Sequence, residues 1–387
     1  MPQTRTRRSL AALTVTLALV AAGCQGKEDE TPAASPSPKP TKSQQPVAAR
    51  DVALVRAGQV QISSGTQPLR SVAAVTSGVT VGELIWSADK KSLAWLESPE
   101  GEGGNTVVLA DVTTGLAHRW PGCSCAWIAF RGSDLISDGG DAPALLTYPA
   151  DGSKARPWAL RGLPAKAAGG LLEPVLDLLT GASNQVFVGY ANGGQSTYGG
   201  PQTVYRVDLD GTATALNDEP ANGLPHDGVL SADGKTLAYR VNTHVSACED
   251  LDAVSLVDVA TGKAITPALP NSGGRSTVIS TWFDATGQAW AAALTGLADC
   301  VAGTANPVTD VVPDVYREVD GKWVTTGRKA VAGADLGGGR TAWLTGSVQS
   351  DGLQIGARQP GSLTVEANGV KPRQVADQVT LFAAAPA

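Results

Sequence analysis

Hydrophobic residues fall in short runs along this chain. From Asp51 onward, β-forming stretches alternate with Gly, Asp, Asn and Ser, and no segment holds the 3.6-residue apolar period of a long amphipathic helix. One unit recurs. Leu84-Ile85-Trp86-Ser87-Ala88-Asp89-Lys90-Lys91-Ser92-Leu93-Ala94-Trp95 reads as strand, turn, strand, and Val107 to Gly115 as a strand entering a hairpin. Leu230 to Tyr239 repeats the first half, with Ser231-Ala232-Asp233-Gly234-Lys235 at the turn, and Val254 to Gly262 repeats the second. A hairpin glycine can be followed through Gly65, Gly115, Gly152, Gly211, Gly262, Gly321 and Gly369, at a mean spacing of about 51 residues. Glycine suits these places because tight hairpins need a positive φ. Inner turns are expected at Asp89-Lys90, Gly132-Ser133, Ser183-Asn184, Asp233-Gly234, Thr286-Gly287 and Gly337-Gly338.

Seven outer hairpins but six inner turns imply that the chain enters the first unit one strand late. Val52-Ala53-Leu54-Val55 is then a second strand, and residues 378–382 return from the C-terminus to supply the first. That closure leaves no open sheet edge. The expected fold is all-β: a β-propeller of seven four-stranded blades, with the N- and C-terminal strands sharing one blade. Two places are ambiguous: Leu171-Leu172-Glu173-Pro174-Val175-Leu176, which also reads as a short helix, and residues 350–360.

Before Asp51 the pattern changes. Arg5, Arg7 and Arg8 precede an uncharged apolar run, Ser9 to Gly23, too short for a comfortable bilayer span. It ends in Val20-Ala21-Ala22-Gly23-Cys24, which resembles the lipobox of a bacterial lipoprotein signal, with Ala21 where Leu is commoner. The resemblance implies diacylglycerol on Cys24 and cleavage before it. Residues 25–49 are rich in Pro, Ser and Thr and read as a semi-extended tether. The domains expected are residues 1–23 (signal), 24–50 (lipidated tether) and 51–387 (propeller).

The turns Trp86-Ser-Ala-Asp-Lys-Lys and Leu230-Ser-Ala-Asp-Gly-Lys resemble the W-S-P-D-G-K turn of TolB-type propeller repeats, relatives of WD40 repeats, with Ala in place of Pro. The resemblance implies an envelope interaction module, and the Ala- and Gly-rich composition points to a Gram-positive, actinobacterial source. The expected address is the extracytoplasmic face of the cell membrane, held by the lipid on Cys24. The expected partner is an envelope protein, met by a monomeric chain.

Composition narrows the rest. Apolar residues are 42% of the chain, enough for a large core. Charged residues are 17% with a net charge of −6, so no basic nucleic-acid face is expected. Loss of the three signal arginines takes the charge to about −9, which favours the lipid over electrostatics as anchor.

The uneven connections, residues 98–105, 191–200, 243–252 and 295–313, all fall on one face, where binding function concentrates. Tyr198, His226, Asp227 and Asp299 are the binding-face candidates. His226-Asp227 reads as a solvated loop pair or, more sharply, an acid–base pair near the channel. In an oxidising compartment four cysteines allow three pairings, of which Cys248–Cys300 with Cys123–Cys125 is favoured.

Enzyme motifs fail. Gly122-Cys-Ser124-Cys-Ala126 lacks the last Gly of a nucleophile elbow, and Asp208-Leu-Asp210-Gly211 lacks the first ligand and closing Glu of a calcium loop. No phosphate-loop motif is present. Trp86, Trp95, Trp127, Trp282, Trp290 and Trp343 read as packing between blades rather than a quinone-stacking ring. The expectation is a noncatalytic protein-interaction module with no cofactor and no metal. Small-molecule or glycan sensing on the loop face is the alternative, and a hydrolase, lactonase or quinoprotein the more remote one.

Overall fold

Strand after strand is closed by a turn that its own side chains stabilise. Ser87 Oγ donates to Asp89 Oδ1 (2.7 Å), which also accepts the Lys91 amide (3.1 Å), and the Ser92 amide donates to Ser87 Oγ (2.9 Å). The same three bonds recur around Ser231 and Asp233, at 2.8, 3.1 and 2.9 Å. The outer hairpins use another device. Asp111 Oδ1 accepts the Thr113 and Thr114 amides (2.9 and 2.6 Å), and Asp258 Oδ1 accepts that of Thr261 (2.8 Å). The glycine that follows takes a left-handed φ, +73° at Gly115 and +70° at Gly262.

The computed structural model describes residues 50–386 apart from 65–66, 102, 140–142, 171, 195–201, 219–224, 247–248, 271–274, 298–308, 351–354 and 368. The chain begins with β1 (Val52–Arg56), β2 (Gln59–Ser63) and β3 (Arg70–Ala74). Four antiparallel sheets follow, each a four-strand meander. They are β4 (Val79–Trp86), β5 (Ser92–Pro99), β6 (Asn105–Asp111) and β7 (Ala117–Cys123); then β8 (Ile128–Arg131), β9 (Asp134–Ser137), β10 (Ala144–Tyr148) and β11 (Arg156–Ala159). Next come β12 (Val175–Gly181), β13 (Gln185–Ala191), β14 (Thr203–Asp208) and β15 (Ala213–Asp218); then β16 (Pro225–Leu230), β17 (Thr236–Ser246), β18 (Glu249–Asp258) and β19 (Ala264–Ile265). A further sheet combines β20 (Arg275–Phe283), β21 (Ala289–Leu297), β23 (Asp314–Val319) and β24 (Lys322–Lys329), with β22 (Thr309–Val311) set apart from it. The last group is β25 (Ala332–Gly337), β26 (Arg340–Thr345), β29 (Gly361–Ala367) and β30 (Val370–Ala384). Between them β27 (Val348–Ser350) and β28 (Ile355–Arg358) pair with β22 in a small three-stranded sheet.

β30 joins the two ends of the chain. Its first half pairs with β29, and its second half pairs with β1 from Val379↔Arg56 to Ala384↔Val52. Gln378, with φ +57°, stands where the strand passes from one partner to the other. The contacts β30–β4, β4–β8, β8–β12, β12–β16, β16–β20, β20–β25 and β25–β30 make a closed circuit of innermost strands. Successive four-stranded antiparallel sheets packed in this order are the arrangement of a β-propeller.

The core is divided among the seams. Val55, Ile62, Leu84 and Trp86 pack the first sheet on the second, and Leu96, Leu109, Phe130 and Tyr148 the second on the third. Trp282, Trp290 and Trp343 pack the sheet of β20 on that of β25, with ring centroids 5.9–6.5 Å apart. Val52, Leu336, Leu363 and Val379 close the seam between last and first.

Two sequence readings are corrected. Of the stretch that doubled as a short helix, Val175 and Leu176 open a strand paired with β13, while Leu172 is an exposed bend before it and Leu171 lies outside the described residues. Residues 243–252 are not a plain loop. β17 and β18 run on as a long ribbon, from Asn242↔Asp252 to Ser246↔Glu249.

Candidate functional site at the mouth of the central passage

The turns joining first to second strands gather around one cavity of about 710 Å³, lined by Ala88, Ser183, Asn184 and Asp233 with Glu83 and Arg50. The opposite end of the passage is formed by the starts of β16 and β20, the far ends of β17 and β18, and β28. Most of the charged chemistry sits there.

Arg240, on β17, is the hub. Its Nε donates to Asp227 Oδ2 (2.9 Å), and its Nη1 donates to Asp252 Oδ2 (3.0 Å). His226 Nε2 lies 3.2 Å from the same Asp252 oxygen. The Trp127 indole stacks on the His226 ring at 6.1 Å between centroids. The Asp252 amide donates to Thr277 Oγ1 (2.9 Å), which ties the network to β20. Arg358, carried in by β28, donates from Nη2 to Ile279 O (2.9 Å). Burial pulls its pKa down, while the charge of Asp227 favours its cation and that of Arg240 opposes it.

Further carboxyls line the passage. Glu83 accepts the Ile128 amide (2.8 Å), Asp138 Oδ1 accepts the amides of Ala126 and Trp127 (2.9 Å each), and Asp177 Oδ2 accepts from Gln202 Nε2 (3.2 Å). Burial pushes Asp138 up to about 7, and the neighbouring Asp177 adds to the rise. Burial also holds Glu83 well above the ordinary carboxylate range, reinforced by Asp227 and Asp138 and opposed by the Ile128 amide. Asp177 is raised by burial against the opposing effects of Gln202 and His226. A carboxyl near 7 is part protonated at neutral pH. Among the described residues no group of three His, Cys, Asp or Glu is placed to hold a metal ion.

Of the sequence candidates, His226 and Asp227 meet in this network, but not as a pair. A register shift between His226 and Gly228, with Asp227 at φ +48°, separates their side chains. His226 takes Asp252, and Asp227 takes Arg240. Tyr198, Asp299, Cys24, Cys248 and Cys300 lie outside the described residues, as does Gly65. The Sγ atoms of Cys123 and Cys125 are 2.08 Å apart and buried; the Cys125 amide and Tyr148 hydroxyl donate to Cys123 Sγ at 3.1 and 3.3 Å. Glu83, Asp138, Asp177, Arg240, Asp252 and Arg358 were not singled out by sequence. For Glu83 a signal existed: a charge inside a strand that should be innermost.

No described protein family and no curated protein matches the chain. Among solved structures it is similar to the GH74 enzyme of Niastella koreensis (14% identity, TM-score 0.47, covering 83% of this chain and 58% of that one). It is also similar to a putative 6-phosphogluconolactonase from Bacteroides uniformis (10%, TM-score 0.48, 87% and 100%) and to dihydro-heme d1 dehydrogenase NirN (13%, TM-score 0.47, 89% and 77%). The chain thus spans little more than half the length of the Niastella koreensis enzyme.

Proposed function

We propose that this chain is a noncatalytic binding module: a seven-bladed propeller of the TolB-like kind, held at the extracytoplasmic face of the cell membrane by a lipid on Cys24, and presenting its loop face to an envelope protein. The observation that carries this reading is the polarity of the body. The Arg50 amide donates to Leu336 O (2.9 Å) and its guanidinium lies 3.6 Å from Asp335. Both partners lie at the turn end of the passage. Arg50, the first described residue, therefore sits on the turn face, and the three-stranded β22–β27–β28 sheet and the Arg240 network lie at the other end. Innermost strands such as β12, seven residues long, separate the two faces by roughly 23 Å.

The carboxyls of the passage support a binding rather than a catalytic reading, since Glu83, Asp138, Asp227 and Asp252 are each held by main-chain amides or by Arg240. The test is affinity capture of the lipidated protein from gently crosslinked membranes, with the secreted Cys24→Ala form as control. One stoichiometric partner, lost when the connection of residues 295–313 is shortened, is the expected result. Capture without a partner overturns the interaction role. Retention of Cys24→Ala on membranes after signal cleavage overturns the anchor.

A further inference from the structure

The Arg240 network has a gap beside it. Asn242 and Asp252 are directly opposed across the β17–β18 ladder. Asn242 is 9% exposed. Its Oδ1 and the Oδ1 of Asp252 are both buried without a hydrogen-bond partner. Native interiors pair nearly all such groups, because an orphan forfeits its hydration and gains nothing in return. Here two orphans stand side by side. Register puts them on the same face as His226 and Arg240, since His226 opposes Arg240 and Asn242 follows Arg240 by two residues.

The kind of deficit identifies the kind of ligand. Charge is already balanced: Arg240 and Arg358 face Asp227 and Asp252. What is missing is hydrogen-bond donors, at two oxygens that a cross-strand pair holds about 5 Å apart at the Cβ atoms. Adjacent hydroxyls of a sugar ring supply neutral donors at that spacing, and accept in turn from guanidinium or imidazole. The half-buried Trp127 indole, stacked on the His226 ring, gives the polar cluster an aromatic border. Gln202 Oε1 is also an orphan, but it is fully enclosed, and even a Cβ added at Gly189 would lie 2.6 Å from it. It offers a ligand no room.

We propose that Asn242 and Asp252, with Trp127 and His226, form a subsite for a neutral saccharide at the mouth of the central passage. The subsite shares the loop face with the proposed function but not its protein partner.

The probes are neutral mono- and disaccharides of glucose, galactose, mannose and N-acetylglucosamine, presented to the full mature chain. Binding is read by saturation-transfer NMR and calorimetry. At least one sugar is expected to bind with a dissociation constant in the millimolar range or below, and Asn242→Leu and Trp127→Phe each to weaken it about tenfold or more. Asn242→Leu is also expected to raise the melting temperature of the sugar-free protein, because it removes an orphan; a merely structural Asn would give the reverse. Asn242→Ala provides a smaller second variant if the Leu form fails to fold; it too removes the acceptor, and the same loss of sugar is expected. The proposal is overturned if no sugar binds and a high-resolution structure shows only a water bridging Asn242 and Asp252. It is equally overturned if binding survives all three substitutions. Loss of partner capture with sugar binding intact would instead count against the protein-interaction role alone.

Discussion

Asp138 is the place to test the electrostatics of the passage. It is 6% exposed, and burial lifts its pKa from 3.8 to about 7. Between those values the folded chain keeps a proton that the unfolded chain has lost. Stability therefore falls as pH rises through this window and levels off above about pH 7. Asp138→Asn keeps the acceptor that holds the Ala126 and Trp127 amides and removes the ionisation. At about 1.4 kcal/mol per pKa unit, the full shift is worth about 4 kcal/mol, of which about 3 kcal/mol develops between pH 5 and pH 8. Unfolding entropy for a body of this length is about 0.7 kcal/mol/K, so the gap corresponds to about 4 °C. Thermal melts of wild type and Asp138→Asn across this range are the assay. The variant should melt higher at the alkaline end, and the difference should shrink steadily toward the acid end. Parallel curves, or a variant that is weaker at pH 8, would refute the reasoning.

Glu97 carries the opposite sign. Burial pushes its pKa up, but hydrogen bonds from Arg119 (2.5 Å), Thr76 Oγ1 (2.5 Å) and Trp95 Nε1 (2.9 Å) outweigh burial and hold it below the ordinary range. Its contribution is present above the unfolded value and lost as pH falls through the folded one. Glu97→Gln should cost about 2–3 kcal/mol at neutral pH, less than a fully buried pair because Arg119 is one-third exposed; equal denaturation midpoints for variant and wild type would rule this out. Deleting residues 378–387 removes the strand that pairs with β1 and the Trp86 Nε1 to Ala383 O bond (3.1 Å). Limited proteolysis should then find no resistant body, and a wild-type digestion pattern would show that the ring does not depend on this strand.

Local chemistry was the legible part of the sequence. Asp111-Val-Thr-Thr-Gly115 and Ser231-Ala-Asp-Gly234 carry their turn geometry within a few residues, so the structure has turns where those residues stand. The return of residues 378–382 to β1 was legible from counting turns. The network at the passage mouth was not. His226, Arg240, Asp252 and Arg358 meet only because three strands and a small extra sheet converge, and Asp252 lies in a segment whose polar residues read as loop. β22, β27 and β28 are three or four residues long and come from two separate connections, too short for any periodicity to announce them. The helical reading of residues 171–176 failed at Val175 and Leu176 for a related reason: so short an apolar run takes the structure of its partner, and here that was β13.

The return of β30 also sets a schedule. Thr380 Oγ1 donates to Val55 O across 325 residues of chain. During synthesis at about 5–20 residues per second, β1 exists for on the order of half a minute before its inner neighbour is made. Through that interval a row of unpaired main-chain groups stands open to any passing strand. The four-stranded sheets from β4 to β19 can each form as their own residues appear, but the circle waits for β30. A ribosome stalled before β30 emerges would leave most of the described sheets formed and the ring still unclosed, with one strand position vacant beside β1.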